Sequence, residues 1–432
     1  MNRNTSSISR REYLAQLSVG TLALALPSCA PHREQTPGSD ERKPKSVAAV
    51  ITWYIRGSHA DVLVGKILEG WQQDGGRGPN LKLASMYLDQ FPEQDLARAL
   101  AEKHGVPIFD TIEGAVTVGT DGIPVDGVLS IGEHGNYPRN EKQQQLYPRR
   151  RFFEEITAAF EKHDRVVPVF SDKHLGPVWQ DALWMYERAQ SLEIPFMAGS
   201  SLPVSFRKPD ISVPMGSEIE AAVGVGYSGL DIYGIHTLEL FQTFVERRHG
   251  AETGVMSVRW LGADDMWKVV DDGLVSRDVL EAALAVTPKS QGPNVDPRKT
   301  RGDGVGLLLF EYQDGLIGAV FMLPGYLAGC GVAVKVKGKA TPIAAHAEER
   351  REPRHPHFAY LLKAIEKMFH SGKPSYPVER TLLTSGILDR GLTSRFEGGR
   401  QLTTPELAIQ YAPVDYPHAP RPPLTVTVGS EL

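Results

Sequence analysis

Acidic and imidazole side chains follow two apolar segments that the sequence predicts to be neighbouring strands. Glu133 and His134 come directly after the first segment, and Asp172 and His174 come after the second. Because parallel strands end at the same edge of a sheet, we expect these four side chains to converge on one cleft. Carboxylates and imidazoles arranged in this way can move protons to and from a hydroxyl group, or they can bind Zn²⁺ or Mn²⁺.

The elements that position these side chains alternate between strand and helix. Short apolar segments are separated by amphipathic helical segments, which is the pattern of a buried parallel sheet. The alternation predicts a Rossmann-like, doubly wound parallel sheet of the α/β class, in which ligands bind at the carboxyl ends of the strands. The predicted strands lie at 46–52, 81–88, 106–109, 125–131, 166–170 and 194–198.

The alternation ends near residue 206, and a second domain begins. A helix is predicted near 216–226, and later strands flank the hairpin signal Asp314-Gly315. This part predicts an α+β domain with an open, mostly antiparallel sheet. The expected segments of the whole chain are an export signal (1–30), a polar tether (31–45), the doubly wound domain (46–205), the α+β domain (206–411) and a Pro-rich tail (412–432).

The N-terminal segment is typical of an export signal. Arg10 and Arg11 precede an apolar run at 14–26, which is about 13 residues long where roughly 20 are needed to span a bilayer. The arginine pair resembles a twin-arginine signal, and Cys29 stands where a lipoprotein would be acylated. Simple cleavage with release is the alternative. We expect an exported protein, either periplasmic or anchored by lipid on the outer side of the inner membrane.

The charge balance gives no case for nucleic acid as a partner. The chain of 432 residues has 47 Lys and Arg against 52 Asp and Glu, a net charge of −5, whereas nucleic-acid binding is usually accompanied by a basic domain or stripe. Its two cysteines, Cys29 and Cys330, are too few for a disulfide framework or a four-thiolate zinc site.

Four segments, taken in order along the chain, carry a resemblance to a known family. They are 126–134, 167–175, 234–240 and 310–318; the second is similar to a signature ending Glu-Lys-Pro-Leu and the third to a Gly-x-His-x-x-Asp helix. The family is that of the NAD(P)-dependent sugar oxidoreductases related to glucose–fructose oxidoreductase and inositol dehydrogenase (Gfo/Idh/MocA). The resemblance spans roughly residues 46–405 of the sequence.

The resemblance implies roles for several residues around the reacting hydroxyl. Lys173 matches the lysine that lies between nicotinamide and sugar, and His236 would be its acid/base partner. Asp172 stands where the family has glutamate and is also expected to be catalytic. His174 replaces a proline, and Glu239 lies on the same helical face as His236; both are expected to contact the substrate.

The resemblance also implies a site for NAD or NADP. Only Gly57 keeps a glycine position in the turn after the first strand, and Thr52 and Tyr54 stand at the other two. We therefore expect the bulky Tyr54 side chain at the closest approach of the pyrophosphate. Arg56 could meet a phosphate, and Asp89 stands where the family places its ribose-binding acid. Glu133 and His134 complete the predicted cofactor-binding residues. The alternative is a domain of this fold that no longer binds a nucleotide.

A polar insert at 135–151 follows the fourth predicted strand. Asn136, Tyr137 and Arg139 are suited to hydroxyl-rich or carboxylated sugars, although a solvated loop is an equal alternative. The basic run that ends the insert at 149–151 begins a helix and is expected at the surface.

The sequence therefore predicts an exported oxidoreductase that uses NAD(P) to act on a sugar or polyol, and a homo-oligomer formed through the sheet of the second domain. Two alternatives stay open: a cofactor-free carbohydrate-binding protein, and a non-redox lyase or epimerase that uses a divalent metal. The ligands of that metal would be Glu133, His134, Asp172, His174 and His236.

Overall fold

The computed structural model describes residues 43–292 and 295–420, which belong to one compact unit. The predicted export signal with Cys29, most of the tether and the end of the Pro-rich tail lie outside the described residues. Within the described part, no helix combines the length and the apolar character that a membrane crossing requires.

Six parallel strands form the first sheet, and their spatial order is β3-β2-β1-β4-β5-β6. This order confirms the predicted doubly wound sheet. Strands β1 to β3 follow one another toward one edge of the sheet, and β4 to β6 follow one another from the other side of β1 toward the opposite edge. The strands are β1 (Lys45–Ile51), β2 (Leu81–Leu88), β3 (Ile108–Phe109), β4 (Gly127–Ile131), β5 (Val169–Asp172) and β6 (Phe196–Gly199). The helices between them are α1 (His59–Glu69), α2 (Ala97–His104), α3 (Ile112–Thr117), α4 (Arg149–Lys162) and α5 (Trp179–Ser191).

Both faces of this sheet are buried, which explains why its strands are apolar at nearly every position. In β1, Ala48 and Val50 pack in a cluster that includes Phe152 of α4. Val47 and Ile51 face the other way, into a cluster with α1 and α2. The first sheet is therefore a three-layer structure whose polar groups are concentrated at the strand ends.

Eight strands form the second sheet, in the order β14-β9-β10-β11-β8-β12-β13-β7. Every neighbouring pair is antiparallel except β8 and β11, which confirms the predicted mostly antiparallel sheet. The strands are β7 (Phe206–Lys208), β8 (Ile219–Gly226), β9 (Val255–Gly262), β10 (Gly306–Tyr312), β11 (Ile317–Met322), β12 (Cys330–Val336), β13 (Ile343–Glu348) and β14 (Leu402–Thr403). The helices are α6 (Leu230–Val245), α7 (Lys268–Asp271), α8 (Arg277–Val286), α9 (His357–Ser371) and α10 (Glu379–Phe396).

The helix predicted near 216–226 is wrong, because this segment is the central strand β8. Its side chains alternate, with Val223 and Val225 on one face of the sheet and Ala222 on the other. A strand buried on both faces lacks the polar positions that normally distinguish strand from helix, so its sequence is ambiguous.

The two faces of the second sheet are covered by different helices. On one face, α6 and α10 pack against the sheet through residues such as Phe241 and Leu392. On the other face, Val279 and Leu280 of α8 cover Phe321 and its neighbours. Each face of the second sheet thus carries helices of the chain itself, and the homo-oligomer stays a prediction.

The helix α9 returns from the second part of the chain to the first sheet. Leu361 and Ile365 lie in the same cluster as β1 and α1. The ring of Phe369 closes on Gly127 so tightly that a Cβ there would lie 2.7 Å from it. The core of the doubly wound domain therefore includes a helix from far along the sequence.

Candidate active site

A buried cluster of three charged side chains lies at the carboxyl edge of the first sheet. The Lys173 ammonium donates to Glu133 Oε1 at 2.7 Å, and the Arg149 guanidinium donates to Glu133 Oε2 at 2.5 Å. All three residues are at most 3% exposed. Burial opposes ionisation of Glu133, but Lys173 and Arg149 outweigh it and hold its pKa well below the usual range.

Arg149 corrects the expectation that the basic run 149–151 lies at the surface. It is the first residue of α4, it is fully buried, and its other nitrogen lies 3.3 Å from His174 Nε2. Gly132 makes room for it, since a Cβ at that position would meet the Arg149 side chain at 2.7 Å. Arg149 is therefore a site residue that sequence reasoning missed.

His174 is a neutral member of this cluster. Burial and the neighbouring Arg149 lower its pKa well below 6.5. Because the guanidinium can only donate, His174 Nε2 must accept and its proton must lie on Nδ1. The ring is buried, so a substrate contact, which the sequence suggested, is not supported by its position; it orients Arg149 instead.

His236 faces the cluster from α6 of the second domain. Lys173 Nζ lies 3.4 Å from the Ile232 carbonyl on the first turn of that helix. His236 Nδ1 lies 2.5 Å from the Ser200 hydroxyl, which follows β6. Burial, with a smaller effect of Lys173, holds the pKa of His236 well below its usual value, so the imidazole is neutral. The structure thus places Lys173 and His236 at the same site, the charged cluster at the carboxyl edge of the first sheet.

Asp172 has a partner that the sequence did not reveal. Its carboxylate, 1% exposed, lies 2.5 Å from His59 Nδ1 on the first turn of α1. The His59 ring also makes an edge contact with the His134 ring at a centroid distance of 5.3 Å. Because 113 residues separate His59 from Asp172, no local sequence pattern signals this pair.

Two tyrosines of the second domain form an aromatic wall beside the lysine. The rings of Tyr227 and Tyr233 lie 4.7 Å apart, and Lys173 Nζ lies 6.0 Å from the centre of the Tyr233 ring. The Tyr227 hydroxyl donates to Glu349 Oε2 at 3.0 Å. An aromatic face next to carboxylate and ammonium groups offers a small ligand both an apolar surface and polar contacts.

The turn after β1 keeps its glycine at the third position only, and the side chains at the other two positions, Thr52 and Tyr54, are buried. Gly57 has a φ of +77° and open space where a Cβ would lie. Thr52 is fully buried, and its hydroxyl donates to the Glu133 carbonyl at 2.5 Å. Arg56, by contrast, is exposed and free to meet a phosphate.

The expectation for Tyr54 is corrected by the structure. Its side chain is fully buried in the cluster between α1 and the sheet, not at the place where a pyrophosphate would lie. The ring packs there because it fills the space beneath Gly65, whose Cβ would lie 3.2 Å from the Tyr54 hydroxyl. Thr52 and Tyr54 therefore make no side-chain contact with a ligand in the cleft.

Asp89 ends β2 as predicted, but its carboxylate is already bonded. It accepts hydrogen bonds from the hydroxyls of Tyr87 and Tyr137 and from the Arg151 guanidinium. Burial raises the pKa of Asp89. The hydrogen bonds from these three donors, of which that from Tyr137 has the largest effect, outweigh burial, so the pKa is lowered overall. Asp89 is therefore an ionised acid at the expected place.

The insert folds over this edge of the sheet and contacts the residues that follow β2 and the start of α6. Asn136 pairs through its backbone with Gln90, and Tyr137 binds Asp89. Arg139 lies 3.7 Å from Asp231 at the start of α6. The predicted substrate contacts of these residues remain predictions, and only the exposed Asn136 side chain and the Arg139 guanidinium face solvent.

Glu239 requires a correction. It is fully buried and accepts the hydroxyls of Thr381 and Thr384 at 2.8 and 3.0 Å and the Ser200 N–H at 3.2 Å. Its buried position does not support a substrate contact. Glu239 instead acts as a clamp, because its hydrogen bonds connect α6 to the end of β6 and to α10.

The structure does not support the alternative in which the cleft binds a divalent metal. Across residues 43–292 and 295–420, no three His, Cys, Asp or Glu side chains are arranged to hold a metal ion. Of the five proposed ligands, Glu133 is held by two cations, Asp172 by His59 and His236 by Ser200.

Several buried polar atoms at this edge have no hydrogen-bond partner among the residues that the structure describes. They follow or end β1, β4 and β5, and burying them without a partner costs free energy. They are Trp53 Nε1, His134 Nε2, His174 Nδ1, Ser130 Oγ and Ser171 Oγ. Such a concentration at the carboxyl edge is typical of a site that receives a polar ligand.

The two domains and the cluster between β4, β5 and α6 define the architecture implied by the family resemblance. Solved structures share this fold. GenD2 from gentamicin A biosynthesis, in complex with NAD, has a TM-score of 0.52 at 13% identity, covering 85% of this chain and 98% of its own. The scyllo-inositol dehydrogenase of Lactobacillus casei has a TM-score of 0.52 at 12% identity, covering 84% and 98%.

The myo-inositol 2-dehydrogenase of Lactobacillus plantarum has a TM-score of 0.50 at 12% identity, covering 84% of this chain and 99% of its own. The fold that the sequence predicted is thus confirmed over nearly the whole length of these three proteins. The sequence matches no family model and no curated protein.

Proposed function

We propose that this chain is an NAD(P)-dependent oxidoreductase that acts on a hydroxyl group of a sugar or polyol. The observation that carries the proposal is the buried Lys173–Glu133 pair at the carboxyl edge, facing a neutral His236 on the second domain. The similar structures, which include inositol dehydrogenases and a protein bound to NAD, support it.

The residues present fit a dinucleotide at the turn after β1. Open space lies where a Cβ at Gly57 would project, and the side chains of Thr52 and Tyr54 are buried. Arg56 and the N-terminus of α1 would meet the pyrophosphate, and Asp89 would meet the ribose. When bound, the nicotinamide supplies the acceptor for the hydride of the alcohol carbon.

The chain's own residues manage the proton of the reacting hydroxyl. Glu133 orients the Lys173 ammonium, which donates a hydrogen bond to the reacting oxygen and stabilises the negative charge that develops there. The neutral His236 accepts the proton. Because Arg149 also binds Glu133, the carboxylate stays ionised and the lysine keeps its position.

We also propose that the protein is exported with its cofactor already bound, since the twin-arginine route carries folded proteins. The arginine pair and Cys29 at the start of the chain support this proposal. Fractionation of the producing cells tests it. A protein found only in the cytoplasm, with its N-terminus uncleaved, would contradict it.

The test of the enzymatic proposal compares Lys173→Met with Lys103→Met. Lys103 also pairs with a carboxylate, Glu69, but this pair joins the C-terminal ends of α2 and α1, outside the cluster. We expect the purified wild-type chain to bind NAD⁺ or NADP⁺ in titration calorimetry and to reduce it with a member of a sugar and polyol panel. Lys173→Met should lower turnover by about 10³-fold or more and keep dinucleotide binding, whereas Lys103→Met should keep both.

Two outcomes would contradict this proposal. A wild-type chain that binds neither dinucleotide, yet still binds sugars, would favour the cofactor-free alternative. Unchanged turnover in Lys173→Met would remove the role assigned to the lysine.

A further inference from the structure

The Asp89 carboxylate is nearly saturated by donors of its own chain. Oδ1 accepts the Tyr87 hydroxyl at 2.8 Å and the Arg151 guanidinium at 2.5 Å, and Oδ2 accepts the Tyr137 hydroxyl at 2.7 Å. A carboxylate offers about four acceptor positions, so these three donors leave one position free. A ribose presents two hydroxyl groups, and it needs two acceptor positions to bind fully.

The hydroxyl on Oδ2 belongs to the segment 135–147, which we call the latch. At its first end, Asn136 exchanges two hydrogen bonds with Gln90, at 2.9 and 3.0 Å. Near its middle, Lys142 donates to Asp389 of α10 at 2.5 Å. The latch therefore connects the edge of the first sheet to a helix of the second domain.

The backbone at the start of the latch is suited to this close approach. Gly135 has a φ of +112°, and a Cβ there would lie 2.6 Å from the Tyr137 ring. The preceding His134 also has a positive φ, of 69°. The Tyr137 ring can reach Asp89 because residue 135 has no side chain. His134 and Gly135, with their consecutive positive φ angles, form the hinge of the segment.

We infer that Tyr137 competes with the dinucleotide for Asp89 and that the latch leaves the acid when the dinucleotide binds. The inference rests on the proposed function. Displacing the Tyr137 hydroxyl opens a second acceptor position, so that Oδ2 receives both hydroxyls of the ribose while Tyr87 and Arg151 remain on Oδ1. Since the latch also holds α10, occupation of the ribose site is linked to contacts of the second domain.

The experiment measures NAD⁺ dissociation constants for the wild type, Tyr137→Phe and a matched control. The control is Tyr186→Phe, which also removes a hydroxyl bonded to a carboxylate, that of Glu379, at 3.0 Å and far from Asp89. We expect Tyr137→Phe to bind NAD⁺ about tenfold more tightly, because one hydrogen bond to an ionised carboxylate no longer has to be broken. Tyr186→Phe should bind like the wild type.

Hydrogen exchange of the wild-type protein provides a second measurement that needs no variant. The Asn136 amide, bonded to Gln90, should exchange faster when NAD⁺ is bound. Equal or weaker binding by Tyr137→Phe, or slower exchange in the latch on binding, would overturn the inference. If no form binds NAD⁺ or NADP⁺, the proposed function itself fails, and the two failures are thereby distinguished.

Discussion

Two ends of the same sheet edge differ in how their polar groups are satisfied. Where β4 and β5 end, Glu133, Lys173 and Arg149 are buried charges that bind one another. Where β1 and β2 end, Thr52 binds a backbone carbonyl and Asp89 binds hydroxyls and a half-exposed arginine. Removing one partner of a buried ion pair costs about 3 to 5 kcal/mol, whereas a hydrogen bond to a partly exposed charged group contributes about 1.5 to 3 kcal/mol. The end at β4 and β5 is therefore rigid, whereas a ligand can replace the hydrogen bonds at the end at β1 and β2.

The largest expected effect tests the rigid end. Glu133→Gln leaves Lys173 and Arg149 buried without a counter-charge, and we expect a loss of about 4 kcal/mol in the free energy of unfolding at neutral pH. The pKa of Glu133 is held well below its ordinary value of 4.5. Its stabilisation is therefore complete above that value and is lost as the pH falls through the folded-state pKa.

Urea unfolding at neutral pH and at about pH 3 measures this dependence, since the difference in unfolding free energy between the variant and the wild type should become smaller at the lower pH. Glu155→Gln is the control, because that carboxylate is exposed and pairs with Arg151 on the surface. A deficit of the same size at both pH values would mean that the charge of Glu133 is not what stabilises the cluster.

A smaller effect is expected when one cation of the cluster is removed. Arg149→Met leaves Glu133 with Lys173 alone, and we expect about 3 kcal/mol of destabilisation. The neighbouring Arg150 is 40% exposed and pairs with Asp181, so Arg150→Met should cost less than about 1 kcal/mol. Denaturant unfolding of both variants gives the comparison. Similar losses in the two would show that burial does not distinguish these adjacent arginines.

The smallest effects test the end at β1, at the two positions where the family has glycine. Thr52→Val removes a buried hydroxyl that donates to the Glu133 carbonyl, and we expect a cost of about 1 to 2 kcal/mol. Within residues 43–292 and 295–420 the Tyr54 hydroxyl has no hydrogen-bond partner, so Tyr54→Phe should lie within about 0.5 kcal/mol of the wild type. Thermal unfolding measures both. A large loss in Tyr54→Phe would show that its hydroxyl has a role in the turn.

Some features of the site could be predicted because their signal is local. Lys173 follows a buried strand, and Asp89 ends another, so their arrival at one edge follows from the topology of parallel strands. The same argument brought Glu133 to the cleft. It could not reveal Arg149. A basic run at the start of a helix is normally predicted to lie at the surface, and the buried carboxylate that Arg149 binds belongs to a different element.

The sequence by itself determined the doubly wound sheet, the mostly antiparallel second sheet and the strand ends that carry Glu133, Lys173 and Asp89. These follow from the periodicity of apolar residues and from chain order. Only the tertiary structure decided that Tyr54 lies in the core, that Glu239 is a buried clamp, and that Asp172 binds His59. Each of these depends on which way one side chain points after distant elements have packed, and neighbours in the sequence do not contain that information.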